Sequence, residues 1–466
     1  MARKAVVRLS DAFVLVRRPC YRAAMKAWLK DSSFRSLLKN TSYQALSKAV
    51  AAVCSVASLA FAGRALGPAA FGILILIQSY VQSASGIAKF QSWQLVIRFG
   101  SNALSDNDPG PLKEATGFAI GLDLISAIIG TIAAILLLPW VGPWLHIPAA
   151  MIPYAMGYCL LLPTMAAATP TGVLRALDRF DLIGWQSTVT PILRGLMAFA
   201  AWMMGAPLLV YLAIWFVSSV CGEIYAWFMA WRELGRRRIR EGIRPKLRPH
   251  GLAGAWKFAI NVNLSTSLNA TAGPAANLIV GAILGPAAAG MFRIARSVAQ
   301  SIESPADFLE KAFYPEVLRQ DLSTKRPWNL MLRSSAVAAL IGITMGGAIL
   351  IGGRYLIPAI FGAQYTAAYP VAAIMVFATL IAAITFPVVP MLYAMDRTRI
   401  TLIAKFLGTS IFLLGLFPLC HWAGIAGAGM AFVLGDLAAL SIDLGTLWRE
   451  YGRRVGRPLI VSQAAD

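Results

Sequence analysis

The sequence predicts an all-α integral membrane fold, with 12 transmembrane helices in two parallel six-helix repeats around a central cavity. Three observations predict it: apolar runs of membrane-spanning length, an internal duplication, and positive charge confined to one side. The 466 residues are 58% hydrophobic and 14% charged, with a mean hydropathy of +0.66. Runs of about 20 apolar residues, long enough to cross hydrocarbon as a helix, recur along the chain.

The duplication is a segment that recurs 218 residues later. Residues 66–72 read LGPAAFG, and residues 284–290 read LGPAAAG. Three further pairs follow in the same order at nearly the same offset: 82–83 with 300–301, 174–179 with 392–397, and 231–237 with 448–454. One such match could arise by chance in a chain rich in glycine and alanine, but four in order indicate a duplicated unit.

Twelve spans are predicted, six in each copy of the unit. Their expected bounds are 43–63, 69–90, 115–139, 150–172, 184–204, 208–231, 256–280, 287–311, 330–352, 368–392, 400–420 and 425–448. Because six is an even number, both copies enter the membrane from the same side, as parallel repeats do. The first six-helix bundle is therefore expected over 41–231 and the second over 253–449.

The formal net charge of +21 would suggest a nucleic-acid partner in a soluble protein. Here the positive residues lie in the loops on one side of the predicted spans, and the other side has essentially only Arg64 and Arg354. The positive-inside rule explains this pattern, so we expect a multi-pass protein of the cell inner membrane with both termini in the cytoplasm. No nucleic-acid partner is expected.

Three segments lie outside the predicted bundles. Residues 1–40 mix basic with apolar side chains, which predicts a cytoplasmic amphipathic extension on the anionic leaflet, the alternative being a solvated tail. Residues 232–252 form a basic cytoplasmic linker, and its prolines predict a flexible strap rather than a continuous helix. Residues 450–466 form a cytoplasmic tail.

Residue patterns typical of enzymes are absent from the sequence. Five cysteines and three histidines are scattered without metal or redox spacing, and no phosphate-binding loop of the Walker type occurs. We therefore expect no catalytic residue, no cofactor, no metal site and no enzymatic activity. A membrane glycosyltransferase is the alternative from another class, but it should carry a large extramembrane domain with catalytic acids.

Polar residues inside the spans indicate where function resides, because they are costly in lipid. Gln78 and Gln82 share one face of the second span, and Arg293, Arg296 and Gln300 form a similar stripe on the eighth. Matching polar faces in the two copies predict a shared cavity between the halves. The alternative is hydrogen bonding between helices without a cavity.

The same cavity is predicted to bind phosphate and sugar groups. Asn261 and Asn269 belong to an amide-rich seventh span that suits sugar hydroxyls. Lys48, Arg98 and Arg194 add positive charge, and arginine binds phosphate through two parallel hydrogen bonds. Some of these cations could instead extend to the membrane interface.

Acidic residues in the spans are candidates for ion coupling. Asp123, Glu223 and Asp436 could each carry a coupling proton or cation, although pairing with a neighbouring arginine is the favoured interpretation. The repeated Asp-Arg pairs at 178–179 and 396–397 could form a latch between the halves, and a plain loop ion pair is favoured over that latch.

Residues 63–72, 93–100, 279–296 and 312–316 together resemble the bacterial O-antigen and polysaccharide flippases of the multidrug/oligosaccharidyl-lipid/polysaccharide exporter superfamily. The resemblance implies two six-helix bundles facing a cation-lined cavity. It also implies that a polyprenyl-diphosphate-linked oligosaccharide is moved to the periplasmic leaflet by alternating access. Expected partners are that lipid-linked glycan, membrane lipids, and a polysaccharide polymerase or other assembly proteins. Alternatives are a multidrug exporter of the same superfamily and a peptidoglycan-precursor flippase.

Overall fold

The computed structural model describes residues 32–101, 108–166, 168–249, 251–252 and 254–454. These residues are mostly helical and contain no β-strand, which confirms the all-α class. The predicted amphipathic extension lies largely outside the described residues, and so does most of the predicted C-terminal tail.

The described part of the chain forms fifteen α-helices and two short 3₁₀ turns. The helices are α1 Ser32–Ala88, α2 Ser92–Gly100, α3 Gly110–Trp144, α4 Ile152–Cys159, α5 Leu162–Ala166, α6 Thr169–Ala176, α7 Phe180–Met203, α8 Leu208–Arg236, α9 Ala255–Leu284, α10 Pro286–Leu318, α11 Lys325–Phe361, α12 Ala368–Ile384, α13 Val388–Ala394, α14 Thr398–Ala423 and α15 Ile425–Arg454. Below, α1–α8 are called the first half and α9–α15 the second half.

Seven described helical segments are long and apolar enough to cross a membrane, and the bent pair Ala149–Cys159 and Leu162–Ala176 is an eighth candidate. This is fewer than the twelve spans predicted from the sequence. Helices α7, α9 and α10 coincide with three of the remaining predicted spans. They carry the arginines and amides described below, which lower their hydropathy.

The duplicated Leu-Gly-Pro motif makes the same corner twice. Gly67 has φ 72° and ψ 170°, and Gly285 has φ 87° and ψ 173°. Both values lie in a region that favours glycine, and the proline that follows each one starts a new helical direction. In the first half the two predicted spans 43–63 and 69–90 meet at this corner, so the segment named α1 consists of two helical arms separated by the non-helical Gly67.

A second repeated feature is an arginine–glutamate pair within each half. Arg179 contacts Glu233 at 2.7 Å, and Arg397 contacts Glu450 at 2.8 Å. Both glutamates are buried, and each also contacts arginines one turn further along its own helix. These pairs fasten the start of α7 to α8 and the start of α14 to α15. Within the described residues, the ion pairs of the repeated arginines therefore join helices of their own half.

Arg179 has a second acidic neighbour at the start of α7. Its guanidinium contacts Asp181 at 2.8 Å, and this hydrogen bond holds the pKa of that carboxyl below its usual range. The carboxylate near the N-terminus of α7 also suits the helix dipole.

The predicted strap between the halves is packed against α3. The Lys246 amide donates to the Gly117 carbonyl at 3.0 Å, and the Lys246 ammonium contacts Glu114 at 2.6 Å. Gly117 and Gly121 permit this because a side chain at either position would overlap the linker backbone. The prolines do exclude a helix here, as predicted, but close backbone packing replaces the expected free strap.

Candidate functional site

Hydrogen bonds join the halves at the end of the helices that carries Arg64. The Arg64 guanidinium donates to the carbonyls of Ala359 and Ile360 in the last turn of α11, where the helix dipole favours a cation. The Tyr365 hydroxyl donates to the Gly63 carbonyl at 3.1 Å. We call these five residues the Arg64 seal.

Next to this seal the backbones of α1 and α10 almost touch. A side-chain carbon on Gly72 would overlap the Pro286 carbonyl, and one on Gly290 would lie 2.9 Å from the Phe71 ring. The duplicated motif thus contributes its glycines from both halves to one contact.

Arg194 of α7 reaches into the space between helices and is held by α8. Its Nε donates to the Ser218 hydroxyl at 3.0 Å, a second guanidinium nitrogen donates to Ser219 at 2.8 Å, and the group lies 5.2 Å from the Trp215 ring centre. These contacts fix the orientation of the guanidinium, so its charge is presented in one position.

Arg293 of the second half interacts electrostatically with Arg194, and Arg296 lies one turn further along α10. All three are partly buried, and the charges of Arg194 and Arg296 both act on Arg293. The Arg296 guanidinium packs against Gly273 of α9, where any side chain would overlap it. We call Arg194, Arg293 and Arg296 the arginine cluster. Like charges brought together in a poorly solvated place repel, which makes the cluster a strong site for a multivalent anion.

Other predicted cavity residues have varied positions. Gln78 is buried and Gln82 is half-buried on α1, close to the point where the amide of Asn277 on α9 donates to Ser79 at 3.1 Å. Lys48 and Gln300 are exposed. The side chains of Asn261 and Asn269 lie outside the described residues.

Arg98 lies apart from the arginine cluster, at the opposite end of the halves from the Arg64 seal. Its guanidinium stacks on Phe258 of α9 at 4.5 Å from the ring centre, and the neighbouring Phe99 meets the same ring edge-on. Arg98 therefore forms a contact between halves, and its role in substrate binding stays a prediction.

Two of the three predicted coupling acids face cations. Glu223 of α8 interacts electrostatically with Lys89 and Asp123. Asp436 of α15 interacts with Arg296 and Lys405. Pairing with an arginine and ion coupling by either acid both stay predictions.

Asp123 is instead saturated with hydrogen bonds. Its Oδ1 accepts from the Ser92 hydroxyl at 2.7 Å. Its Oδ2 accepts from the Thr169 hydroxyl at 2.7 Å and from the amides of Ala168 and Thr169 at 2.9 and 3.0 Å. Those amides begin α6, so the carboxylate caps this helix and ties α2, α3 and α6 together.

Replacing Asp123 should therefore lower the stability of the fold, and any effect on ion coupling should be smaller. Asp123→Ala leaves four buried donors without an acceptor, and we expect a loss of about 3 kcal/mol or more of stability, measured as a lower melting temperature in detergent. Asp123→Asn keeps one acceptor oxygen and should lose less. Normal melting of both variants together with abolished transport would instead assign Asp123 to coupling.

The comparisons with known proteins agree with this architecture. Residues 37–315 match the family described as "Polysaccharide biosynthesis protein". The chain is also 38% identical over 347 residues to inner membrane protein YghQ of Escherichia coli strain K12, covering 74% of this chain and 98% of that protein. The chain belongs to the polysaccharide biosynthesis protein family.

Solved structures place this family member in the fold of the MOP superfamily. An inward-facing multidrug resistance MATE transporter has a TM-score of 0.66 at 15% identity, with 87% of this chain and 94% of that chain covered. Its outward-facing counterpart has a TM-score of 0.57 at 14% identity, with coverages of 91% and 97%. A MOP superfamily transporter from Pyrococcus furiosus, described by the reverse polarity of its binding pocket, has a TM-score of 0.58 at 15% identity, with coverages of 91% and 97%.

The sequence did not single out two groups that matter in the folded family member. Ser218 and Ser219 orient Arg194, but serines in an apolar helix are common and give no signal by themselves. From the sequence, Arg64 was expected only as a cation in a loop, yet it joins the halves. Its position beside a duplicated Gly-Pro corner was the signal that could have indicated a helix-end contact.

Proposed function

We propose that this membrane transport protein is a flippase for a polyprenyl-diphosphate-linked oligosaccharide, such as an O-antigen or exopolysaccharide repeat unit. It would turn this lipid from the cytoplasmic to the periplasmic leaflet of the inner membrane by alternating access. Twelve spans in two six-helix bundles with cytoplasmic termini complete the proposal. The observation that carries it is the arginine cluster, to which both halves contribute.

A diphosphate is the group that such a cluster suits. Arginine keeps its charge when buried and forms paired hydrogen bonds with phosphate oxygens. Three arginines held near each other repel until an anion lies between them, so a diphosphate binds there more favourably than it would beside one isolated cation. The apolar polyprenyl chain would remain in the bilayer while the head group crosses.

The closed Arg64 seal supports an inward-facing state. The distribution of positive residues among the loops predicts that Arg64 lies on the periplasmic side. The halves would then be closed on that side and would admit substrate from the cytoplasm. The higher TM-score against the inward-facing MATE transporter is in line with this state. Transport would then require the seal to open and the halves to close further at the opposite end, where Arg98 already contacts Phe258.

The charge of the cluster argues against the main alternative. A multidrug exporter that carries cationic compounds should present acids to its substrate, whereas three arginines meet here. A peptidoglycan-precursor flippase uses the same head-group chemistry, and it differs in that deletion of its gene should be lethal. Coupling of transport to an ion through Glu223 or Asp436 belongs to the same proposal.

The direct test is lipid transfer in vesicles. The purified chain would be reconstituted with a fluorescent short-chain polyprenyl diphosphate disaccharide, and the outer leaflet would be bleached with dithionite. We expect the protein to speed bleaching of the inner-leaflet pool, because it carries that lipid outward. The matched probe is the same lipid with a neutral hydroxyl in place of the diphosphate sugar. Equal transfer of both lipids, or none of either, would contradict the proposal.

A further inference from the structure

A cavity of about 360 Å³ with a mixed polar and apolar lining lies in the second half, among α10, α12, α13, α14 and α15. Its wall combines acids, a cation and aromatic rings: Glu310, Phe386, Tyr393, Lys405, Asp436 and Asp443. It adjoins the arginine cluster, because Asp436 on its wall interacts electrostatically with Arg296.

Asp443 is a lining residue with a buried acceptor atom that lacks a hydrogen-bond donor. It is 7% exposed, and its Oδ1 is buried without a hydrogen-bond partner. A buried carboxylate oxygen that accepts no hydrogen bond carries a large desolvation cost. Asp443 lines the cavity, so a donor bound there would offset part of the cost of burying its carboxyl group.

The spacing of the acids disfavours a metal ion as that donor. Asp436 and Asp443 lie seven residues apart on α15, so their backbones are separated by about 10 Å along the helix axis. Oxygen ligands of a cation converge to within about 2.5 Å of it. Among the residues that the structure describes, no group of three acidic, cysteine or histidine side chains could hold a metal ion.

The size and composition of the cavity fit a sugar. A volume of about 360 Å³ equals that of roughly twelve liquid waters, which leaves room for a sugar ring. Sugar hydroxyls donate to carboxylates, the Lys405 ammonium can donate to sugar oxygens, and the rings of Phe386 and Tyr393 offer surfaces to the C–H faces of a ring. Asp436 and Asp443, at this separation, would accept hydrogen bonds from different hydroxyls of one glycan.

We propose that this cavity binds a sugar ring of the glycan, with Asp443 and Asp436 accepting hydrogen bonds from its hydroxyls. The proposal rests on the proposed function, and it assigns the glycan a place beside the diphosphate. The arginine cluster would hold the charged end of the head group, and the second half would receive the sugar attached to it. The first half would contribute to the diphosphate site through Arg194.

Saturation-transfer NMR on the purified full-length protein in detergent tests this site. The probes are glucose, galactose, mannose, rhamnose and N-acetylglucosamine, with binding of farnesyl diphosphate measured separately. Asp443→Leu removes the acceptor, and Ala382→Trp fills the cavity from a lining position. Ser441→Ala is the matched control. Ser441 is exposed on the same helix, and among the described residues its hydroxyl donates only to the backbone carbonyl of Ala438.

We expect at least one sugar to receive magnetisation from the wild type and from Ser441→Ala. The signal should fall about tenfold in Asp443→Leu and Ala382→Trp, as expected for the loss of one charge-assisted hydrogen bond. Farnesyl diphosphate should bind all four proteins equally. Failure of farnesyl diphosphate to bind, with the sugar result intact, would overturn the diphosphate site and leave the sugar site standing.

Two results would overturn the sugar site itself. One is a sugar signal that is absent from the wild type or unchanged in both cavity variants. The other is a rise in melting temperature with sodium chloride that Asp443→Leu abolishes while no sugar binds, which would assign the cavity to a cation.

Discussion

Arg293→Ala is expected to abolish surface polysaccharide while the protein stays in the membrane at its normal level. Arg293 interacts electrostatically with both Arg194 and Arg296, so its loss removes the charge through which the second half acts together with Arg194 of the first half. Removing a buried, charge-assisted contact to phosphate costs about 3 kcal/mol, or roughly a hundredfold in binding of farnesyl diphosphate. Arg296→Ala should have a similar effect.

Two further variants separate the causes of this loss. Arg293→Lys keeps the charge but loses the paired hydrogen bonds, so it should restore only part of the binding. Arg354→Ala is the matched control, because Arg354 is exposed and distant in the fold from the cluster. Wild-type levels of surface glycan in both Arg293→Ala and Arg296→Ala would overturn the assignment of the diphosphate site to the arginine cluster.

Gly72→Leu is expected to open the Arg64 end of the molecule. Even the first carbon of that side chain would overlap the Pro286 carbonyl, and backbone cannot move aside as a flexible side chain can. The halves must therefore separate at this contact, which weakens the Arg64 seal and raises the population of outward-facing molecules.

Distances between spin labels at Trp140 and Tyr355 would measure this opening. Both residues are exposed, and they belong to α3 and α11 near the ends that approach the seal. We expect longer distances in Gly72→Leu than in the wild type, together with slower lipid transfer. Gly157→Leu is the control, since nothing lies within 4 Å of the added carbon. Unchanged distances in Gly72→Leu would mean that the α1–α10 contact does not hold the halves together.

The repeated motifs predicted parts of the fold accurately. The Leu-Gly-Pro duplication predicted a repeated unit, and in the structure both copies of the motif make the same corner, because Gly67 and Gly285 share one backbone conformation. The repeated arginines were correctly expected at helix ends, but their partners were not identified. Glu233 and Glu450 lie 54 and 53 residues further along the chain than their arginines. Spacing along the sequence does not indicate which distant acidic residue an arginine at a helix end will contact.

The amino-acid sequence by itself determined the all-α class, the duplicated corners and the polar stripe that contains Arg293 and Arg296. These follow from local rules, namely apolar run length, helical periodicity and the φ that only glycine adopts readily. Tertiary structure alone decided that Arg194 interacts with Arg293, that Asp123 caps a helix, and that Asp443 lines a cavity. Those outcomes depend on which helices pack together, and each was set by contacts between residues far apart in the chain, where side-chain type alone allows many partners.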